Sequence, residues 1–246
     1  MTGTLRDLLA PVLSPAAFLV LGCAAERDRL RSGERAAIRA FAAGAVLAAT
    51  GAALPGLVRQ GALVAQAGFL AGAGLTLAVM RILLPPRQVP PGGPDRATAL
   101  ATTGVGAALG GLAVGLASWI SLPMALLVAS AVCPVALLLG FDGAHASAGA
   151  PRGRASARFS MLALLLLLLS SAAAGHLAAA HLAAPVPAGV TSAGLAALLV
   201  FVVEQLAREA RKVPATPWTV AFFVLGFLAL EAVQVMATAS NGGSAR

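Results

Sequence analysis

Apolar residues fall into eight long stretches along the chain, separated by short polar or basic segments. The stretches are residues 8–25, 38–58, 62–84, 97–120, 124–141, 159–183, 190–207 and 218–239. Several of them reach the roughly 20 residues that a helix needs to cross the hydrocarbon of a bilayer. They lack the alternating pattern of a membrane β-barrel strand. The pattern predicts an all-α integral membrane protein with about eight transmembrane helices in one domain, residues 1–246.

The connections between these stretches differ in length and composition. Only Arg59, Gln60 and Gly61 separate the second stretch from the third, which predicts a tight helical hairpin. Residues 85–96 contain five prolines. Because proline fits neither the interior of a helix nor that of a sheet, this segment is predicted to be a linker. Glycines spaced four apart in the fourth stretch predict a helix that packs at close backbone distance.

Composition places the chain outside the ordinary soluble class. Apolar side chains make up 59% of the residues and charged side chains 11%, whereas soluble domains are about 45 to 50% apolar. The cysteines, Cys23 and Cys133, lie in apolar stretches without metal-ligand spacing. The residues up to Cys23 faintly resemble a lipoprotein processing site, but the arginines that follow favour a first transmembrane helix.

Basic residues alternate between successive connections. Fourteen lie in or beside the first, third, fifth and seventh connections, and the other three are Arg6, Arg59 and Arg246. The fourteen are Arg27, Arg29, Arg31, Arg35, Arg39, Arg81, Arg87, Arg96, Arg152, Arg154, Arg158, Arg208, Arg211 and Lys212. Because basic residues concentrate on the cytoplasmic side of a membrane, the split predicts a bacterial-type inner-membrane protein with both termini outside the cytoplasm. It also accounts for the net charge of +8 without a nucleic-acid partner.

A short sequence recurs in the third and eighth stretches. Both contain GFLA, beginning at Gly68 and at Gly226, and each follows a helix and a short polar turn. The second and third helices therefore echo the seventh and eighth. Their predicted directions are opposite, which predicts an inverted repeat of the kind found in many secondary transporters.

Two segments resemble a known family. The segment IRAFAAGAVLAATGAALPGLVRQ, with GFLAGAGLTLAV after it, resembles the second and third helices of ZIP divalent-metal transporters. The closing LLVFVVEQLAREARKVPATPWTVAFFVLGFLA resembles their last two. The resemblance implies eight helices in a three-plus-two-plus-three inverted arrangement with both termini outside. It also implies transport of zinc, manganese or iron-class cations.

The metal-binding motifs of that family, HNxxDG in helix four and HExPxG in helix five, are missing from this sequence. Gly106, Ala107 and Gly110 take the positions of the first motif's ligands, and Ala131 and Val135 take those of the second. None of these side chains offers the imidazole, carboxylate, thiolate or amide group that such cations need. The usual binuclear site is therefore not expected.

Five residues remain as candidates for an altered metal site. By the resemblance, Glu204 matches the first glutamate of the family's EEL motif in helix seven, and Gln205 replaces the second. His176 and Glu231 are ionisable groups within predicted helices six and eight, where such groups are functional candidates. Cys133, beside Pro134, offers a thiolate.

Each candidate also has a structural interpretation. His176 is a lone membrane histidine that a hydrogen bond inside the bundle would satisfy, and the same holds for His181. Glu231 can accept a hydrogen bond from His176 or from a backbone donor and so join two helices. Glu204 can reach the membrane surface and pair with Arg208, four residues on.

Two functions from different classes follow. The first is a ZIP-like transporter of divalent cations with an altered or weakened metal site, the cation being cargo and no cofactor being required. The second is a non-transporting relative that serves as a membrane scaffold or partner-binding subunit. An enzyme is not expected, because the sequence has no HExxH, Ser-His or phosphate-loop pattern. Membrane lipid is an expected partner, and a homodimer is an open alternative to a monomer.

Overall fold

The structure is a computed structural model that describes residues 5–25, 32–83, 96–148, 153–183, 185–210 and 217–242. These residues form seven helical elements. They are α1 (Leu5–Ala25), α2 (Ser32–Leu83), α3 (Arg96–Ile120), α4 (Leu122–Ala148), α5 (Gly153–Ala180), α6 (Val186–Ala210) and α7 (Pro217–Gly242). Five of them, α2 to α6, are long and apolar enough to cross a membrane, and α1 and α7 contain shorter apolar helices. The prediction of a multi-pass helical membrane protein is confirmed at this level.

Several predicted features lie outside the described residues. They are most of the proline-rich linker 85–96 and Arg27, Arg29, Arg31, Arg87, Arg152, Arg211, Lys212 and Arg246. Within the described part, two helices extend clearly past their predicted ends. Element α2 begins at Ser32 instead of residue 38, and α4 ends at Ala148 instead of residue 141. Polar residues at a helix end still form backbone hydrogen bonds, which hydropathy does not register.

Element α2 is interrupted at Gly61. A straight helix of its 52 residues would be about 78 Å long, more than twice the roughly 30 Å of a hydrocarbon core. Gly61 has φ 170° and ψ 85°, an extended conformation that no helical residue adopts. It divides α2 into a first limb, residues 32–60, and a second limb, residues 62–83. The break falls in the predicted connection at residues 59–61.

A single residue, Ser121, separates α3 from α4. Its hydroxyl accepts a hydrogen bond from the backbone N–H of Met124 at 3.3 Å, the N-cap arrangement. Pro123 lies in the first turn of α4, where a missing N–H costs no hydrogen bond. The sequence Ser121-Leu122-Pro123 therefore ends one helix and starts the next.

The helices pack in two groups. In one group, α1 packs against α4, α3 against α5, and α3 against α4. In the other group, both α6 and α7 pack against α2. Contacts of α2 with α4 and of α3 with α6 join the two groups. Large buried side chains such as Leu19, Leu168 and Leu198 belong to one continuous apolar core.

Glycines set the closest helix pairs. A side chain at Gly68 would strike the backbone of Gly189, and one at Gly226 would strike the backbone of Phe41. In α3, Gly115 lies in the same way against Ala172 of α5. Glycine and alanine let membrane helices approach this closely, because no side chain keeps their backbones apart. The predicted close packing of the glycine-rich helix is thus observed at Gly115.

Candidate functional site

The interface of α3 and α4 is where the ZIP resemblance places its metal ligands, and it is filled with apolar side chains. A Cβ atom at Gly106 would lie 2.7 Å from Phe201 Cζ and 2.8 Å from Leu139 Cδ2. A Cβ atom at Gly110 would lie 2.9 Å from Val132 Cγ1. Phe201 of α6 is 2% exposed and so lies inside the bundle. The space that ligand side chains would need is occupied by an aromatic ring and branched aliphatic groups.

The other positions that match the family motifs are equally buried. Ala107 and Ala131 have no exposed surface, and Val135 is 2% exposed. All three belong to the apolar core. The packing at this interface is therefore close, as in the interior of any well-packed protein.

His176 is the centre of a buried polar cluster. It lies one turn before the end of α5 and is 4% exposed. Its Nδ1 atom is 2.8 Å from the Ser118 hydroxyl of α3. Its ring meets the Trp119 ring edge to face, with ring centroids 5.7 Å apart. The two side chains on α3 fix the orientation of the imidazole ring.

The hydroxyl of Ser118 also contacts the carbonyl oxygen of Gly115, at 2.7 Å. That oxygen has no hydrogen to give, so the hydroxyl donates to it, and both contacts are satisfied when His176 Nδ1–H donates to Ser118 Oγ. In the neutral ring this assignment leaves Nε2 as an acceptor. The cluster therefore joins α3 to α5 through one side-chain hydrogen bond between helices.

Glu204 and Gln205 lie near the end of α6 and are half-buried. Gln205 is the last residue of the apolar span Val186–Gln205. Glu204 takes part in a polar interaction. The side chain of its predicted partner, Arg208, lies outside the described part of the chain. Glu204 is thus a carboxylate at the end of an apolar span, three residues from Phe201.

Glu231 lies in α7 and is half-buried. Its helix packs mainly against α2, whereas α5, which holds His176, packs in the other group. His176 is hydrogen-bonded to Ser118 rather than to Glu231. The side chain of Gln234, predicted to share a face with Glu231, lies outside the description. The residues that contact His176 in the structure are Ser118 and Trp119, and not the predicted Glu231.

The two cysteines both lie between α1 and α4. Cys133 of α4 is buried and lies against the hydroxyl of Ser14. Cys23 of α1 contacts the carbonyl oxygen of Gly140 at 3.4 Å. Within the described ranges no three His, Cys, Asp or Glu side chains form a group suited to a metal ion. No three of the candidates His176, Glu204, Glu231 and Cys133 therefore come together as such a group in the described part of the chain.

Sequence reasoning missed two polar contacts. Ser118 was overlooked because a serine in an apolar helix gives no signal of its partner on another helix. Asp142 lies just past the predicted fifth stretch, which ends at residue 141, whereas the structure includes this carboxylate in the apolar span Leu122–Ala144. It accepts hydrogen bonds from Arg39 at 2.9 and 3.1 Å. An acidic residue at the end of an apolar stretch is a signal that Asp142 has a charged partner, but the sequence does not show that the partner is Arg39.

No protein-family model matches the sequence, and no curated protein matches it.

Proposed function

We propose that the chain is a ZIP-like membrane protein with eight spanning helices, in which α2 contributes two. The direction of neighbouring helices supports this count. Gly111 and Gly115 of α3 lie against Leu168 and Ala172 of α5, so these helices run parallel. Ser14 and Cys23 of α1 lie against Cys133 and Gly140 of α4, which makes that pair parallel too.

The second limb of α2 also runs parallel to its partner, α6. Gly68 lies against Gly189, and Gly72 lies against Ala193. Short connections reverse direction between α3 and α4 and between α5 and α6. Helix α1 runs in the same direction as α4, and both run opposite to α3 and α5. Because α6 reverses the direction of α5, α6 and the second limb of α2 run in the same direction as α1. One crossing in the opposite direction must separate α1 from the second limb, and the first limb of α2 supplies it.

Matched backbone contacts support the inverted repeat in one helix group. If Gly68 is equated with Gly226, then Ala65 is equated with Phe223. The carbonyl oxygen of Ala65 accepts a hydrogen bond from Ser192 at 2.8 Å. The carbonyl oxygen of Phe223 faces Gly44 at the corresponding contact. Two halves related by an axis in the membrane plane would produce such pairs.

The other group contains a similar pair. Gly22 of α1 lies against the carbonyl group of Leu137 and the Cα atom of Gly140. Gly175 of α5 lies against the carbonyl oxygen of Leu112 and the Cα atom of Gly115. The spacing of three residues between the contacted positions is the same on α4 and on α3. This agreement supports an equivalence of α1 with α5 and of α4 with α3.

For orientation, the proposal is an inner-membrane protein of bacterial type with both termini outside the cytoplasm. The split of fourteen to three basic residues carries it. Topology reporters fused after Arg87 and after Arg154 are expected to report the cytoplasm. Reporters fused at Gln60 and at Ala188 are expected to report the opposite side. An external signal at Arg87 would overturn both the helix count and the repeat.

For activity, the proposal is that the protein does not transport divalent metal and acts as a membrane scaffold or partner-binding subunit. The packing of Phe201 and Leu139 beside Gly106 carries it. A path through α3 and α4 would require these side chains to leave a close-packed core. The residues at the family's ligand positions, Gly106, Ala107, Gly110, Ala131 and Val135, have no side-chain atom that can bind a cation. Transport through a weakened site is the second candidate, favoured by half-buried Glu204 and Gln205 at the end of an apolar span.

Metal uptake separates the two candidates. Cells expressing the protein are expected to accumulate zinc and manganese at the rate of cells with an empty vector. The protein must be detected in the membrane fraction in the same cells. Uptake well above the vector that is lost in Glu204→Ala, but retained in Glu231→Ala, would reverse the order of the candidates. Uptake lost in His176→Ala or Glu231→Ala instead would place the metal site at those residues.

A further inference from the structure

An ion pair joins the two helix groups near one end of the bundle. Arg39 lies in the first limb of α2, and Asp142 lies in α4. One guanidinium nitrogen, Nη2, is 2.9 Å from Oδ1 and 3.1 Å from Oδ2 of the carboxylate. The arginine side chain is 14% exposed and the aspartate 32%. Both residues belong to apolar spans, Ala36–Ile82 and Leu122–Ala144.

The location of the pair gives it a role that a surface salt bridge lacks. Exposed pairs contribute little, because water solvates each partner once they separate. Arg39 is mostly buried and Asp142 is half-buried at the contact of α2 with α4, one of the contacts that join the groups. Separating the groups here would leave two charges at the edge of an apolar interior, which is unfavourable. The pair therefore favours the closed arrangement of this end over an open one.

The opposite end has no charged counterpart in the equivalent place. Under the inverted repeat proposed above, Gly140 corresponds to Gly115 and Phe41 to Gly189. Asp142 then corresponds to Ala117, and Arg39 to Pro187. Neither of these two residues carries a charge. Under the proposed symmetry, the Arg39–Asp142 ion pair therefore joins the two groups at one end and has no counterpart at the other.

We propose that the Arg39–Asp142 pair is a latch that holds the α1, α3, α4 and α5 group against the first limb of α2 and keeps this end of the bundle closed. This proposal goes beyond the proposed function, because the ion pair would hold this end of the bundle closed whether or not the protein transports metal. Ala43 is the natural place for a probe. It lies one helical turn further into the bundle than Arg39 and is 1% exposed.

The test measures how fast a water-soluble maleimide labels a cysteine at position 43. The full chain carries Cys23→Ser, Cys133→Ala and Ala43→Cys and is reconstituted in lipid nanodiscs, where both membrane faces are open to the reagent. Four further variants are compared in this background: Asp142→Asn, Arg39→Lys, the exchanged pair Arg39→Asp with Asp142→Arg, and Arg158→Gln. Arg158 is exposed on α5. Arg158→Gln is the matched control, because it removes one charge outside the ion pair.

Labelling is expected to be slow with the native pair and with Arg158→Gln. Asp142→Asn should raise its rate on the order of tenfold, which corresponds to about 1.4 kcal/mol in the closing equilibrium. The exchanged pair should return most of the protection, because it restores opposite charges at the same contact. Labelling in Asp142→Asn that equals the native rate would overturn the proposal. So would an exchanged pair that is labelled as fast as Asp142→Asn.

Arg39→Lys decides the question if Asp142→Asn does not accumulate in the membrane. Lysine keeps the charge but carries it on a shorter, flexible stem, which does not reach as far as the guanidinium Nη2 that makes both contacts. A latch that depends on this geometry should open several-fold more often in Arg39→Lys, and native labelling in that variant would count against it. The experiment is independent of metal uptake, so the latch and the scaffold function fail or stand separately.

Discussion

Replacing Gly68 with alanine tests whether close backbone contact holds α2 against α6. A Cβ atom at this position would lie 2.7 Å from the carbonyl carbon of Gly189 and 2.9 Å from its Cα atom. Non-bonded carbon atoms need about 3.5 Å. The carbonyl oxygen of Gly189 lies closer still. The second limb of α2 would therefore have to move away from α6 by at least about 0.8 Å, the difference between about 3.5 Å and the distance to the carbonyl carbon.

A gap of this size has a predictable cost. Opening a packed interface by 0.5 to 1 Å removes roughly a quarter to a half of its dispersion energy. Overpacking of this kind costs about 1 to 3 kcal/mol, and alanine returns up to about 1 kcal/mol through its higher helix propensity. Gly68→Ala is therefore expected to lower the free energy of unfolding by about 1 to 2 kcal/mol.

Gly74 supplies the matched control in the same limb. Its Cβ position is open, with no described atom within 4 Å. Gly74→Ala should leave stability unchanged or raise it slightly. Thermal unfolding of both purified variants in the same detergent would give the comparison, with Gly68→Ala melting several degrees lower. Equal melting temperatures would refute the close-contact argument, and with it the matching argument for Gly226.

Three further substitutions test individual hydrogen-bonding side chains. Ser118→Ala removes the partner of buried His176 and should lower stability by about 1 to 3 kcal/mol, because the imidazole then keeps an unmet Nδ1–H; a variant as stable as the parent in thermal unfolding would contradict the hydrogen-bond assignment. Thr191 has a buried hydroxyl with no hydrogen-bond partner in the described part of the chain, so Thr191→Val should be neutral or stabilising by up to about 1 kcal/mol. The adjacent Ser192→Ala removes a 2.8 Å bond to Ala65 and should cost about 0.6 kcal/mol. In chemical unfolding of the two variants side by side, only Ser192→Ala should lose stability, and a destabilised Thr191→Val would contradict the assignment.

The helices were predictable because the membrane imposes one strong rule on them. Any segment that crosses hydrocarbon must be apolar and must satisfy its own backbone hydrogen bonds. That rule alone separates stretches such as 97–120 and 190–207 from their connections. The break near Gly61 was also within reach, because a short polar segment between two long apolar stretches leaves room only for a turn. Local composition therefore predicted the elements well.

Partners between helices were much harder to predict. Which residue faces His176 depends on how α3 and α5 are rotated and offset along their axes. In an alanine and leucine background many offsets bury similar apolar area, so hydropathy does not select one. Glycine contacts select it, as at Gly115 and Ala172, but which glycine meets which backbone is a property of the assembled bundle. The hydrogen bond to Ser118 and the ion pair of Arg39 followed only from that assembly.

The pairing of the helices affects how the protein assembles while it is being synthesised and inserted. The first limb of α2 meets its partner α7 through Gly44 and Gly226, which are far apart in the chain. At a synthesis rate of 5 to 20 residues per second, α7 emerges about 10 to 40 s after Gly44. Throughout that interval the glycine surface of α2 lies against lipid or against a helper protein instead of its final neighbour. Insertion and assembly are therefore separated in time for this chain. A ribosome that stalls before α7 leaves an inserted chain in which the Gly44 surface of α2 has no partner helix.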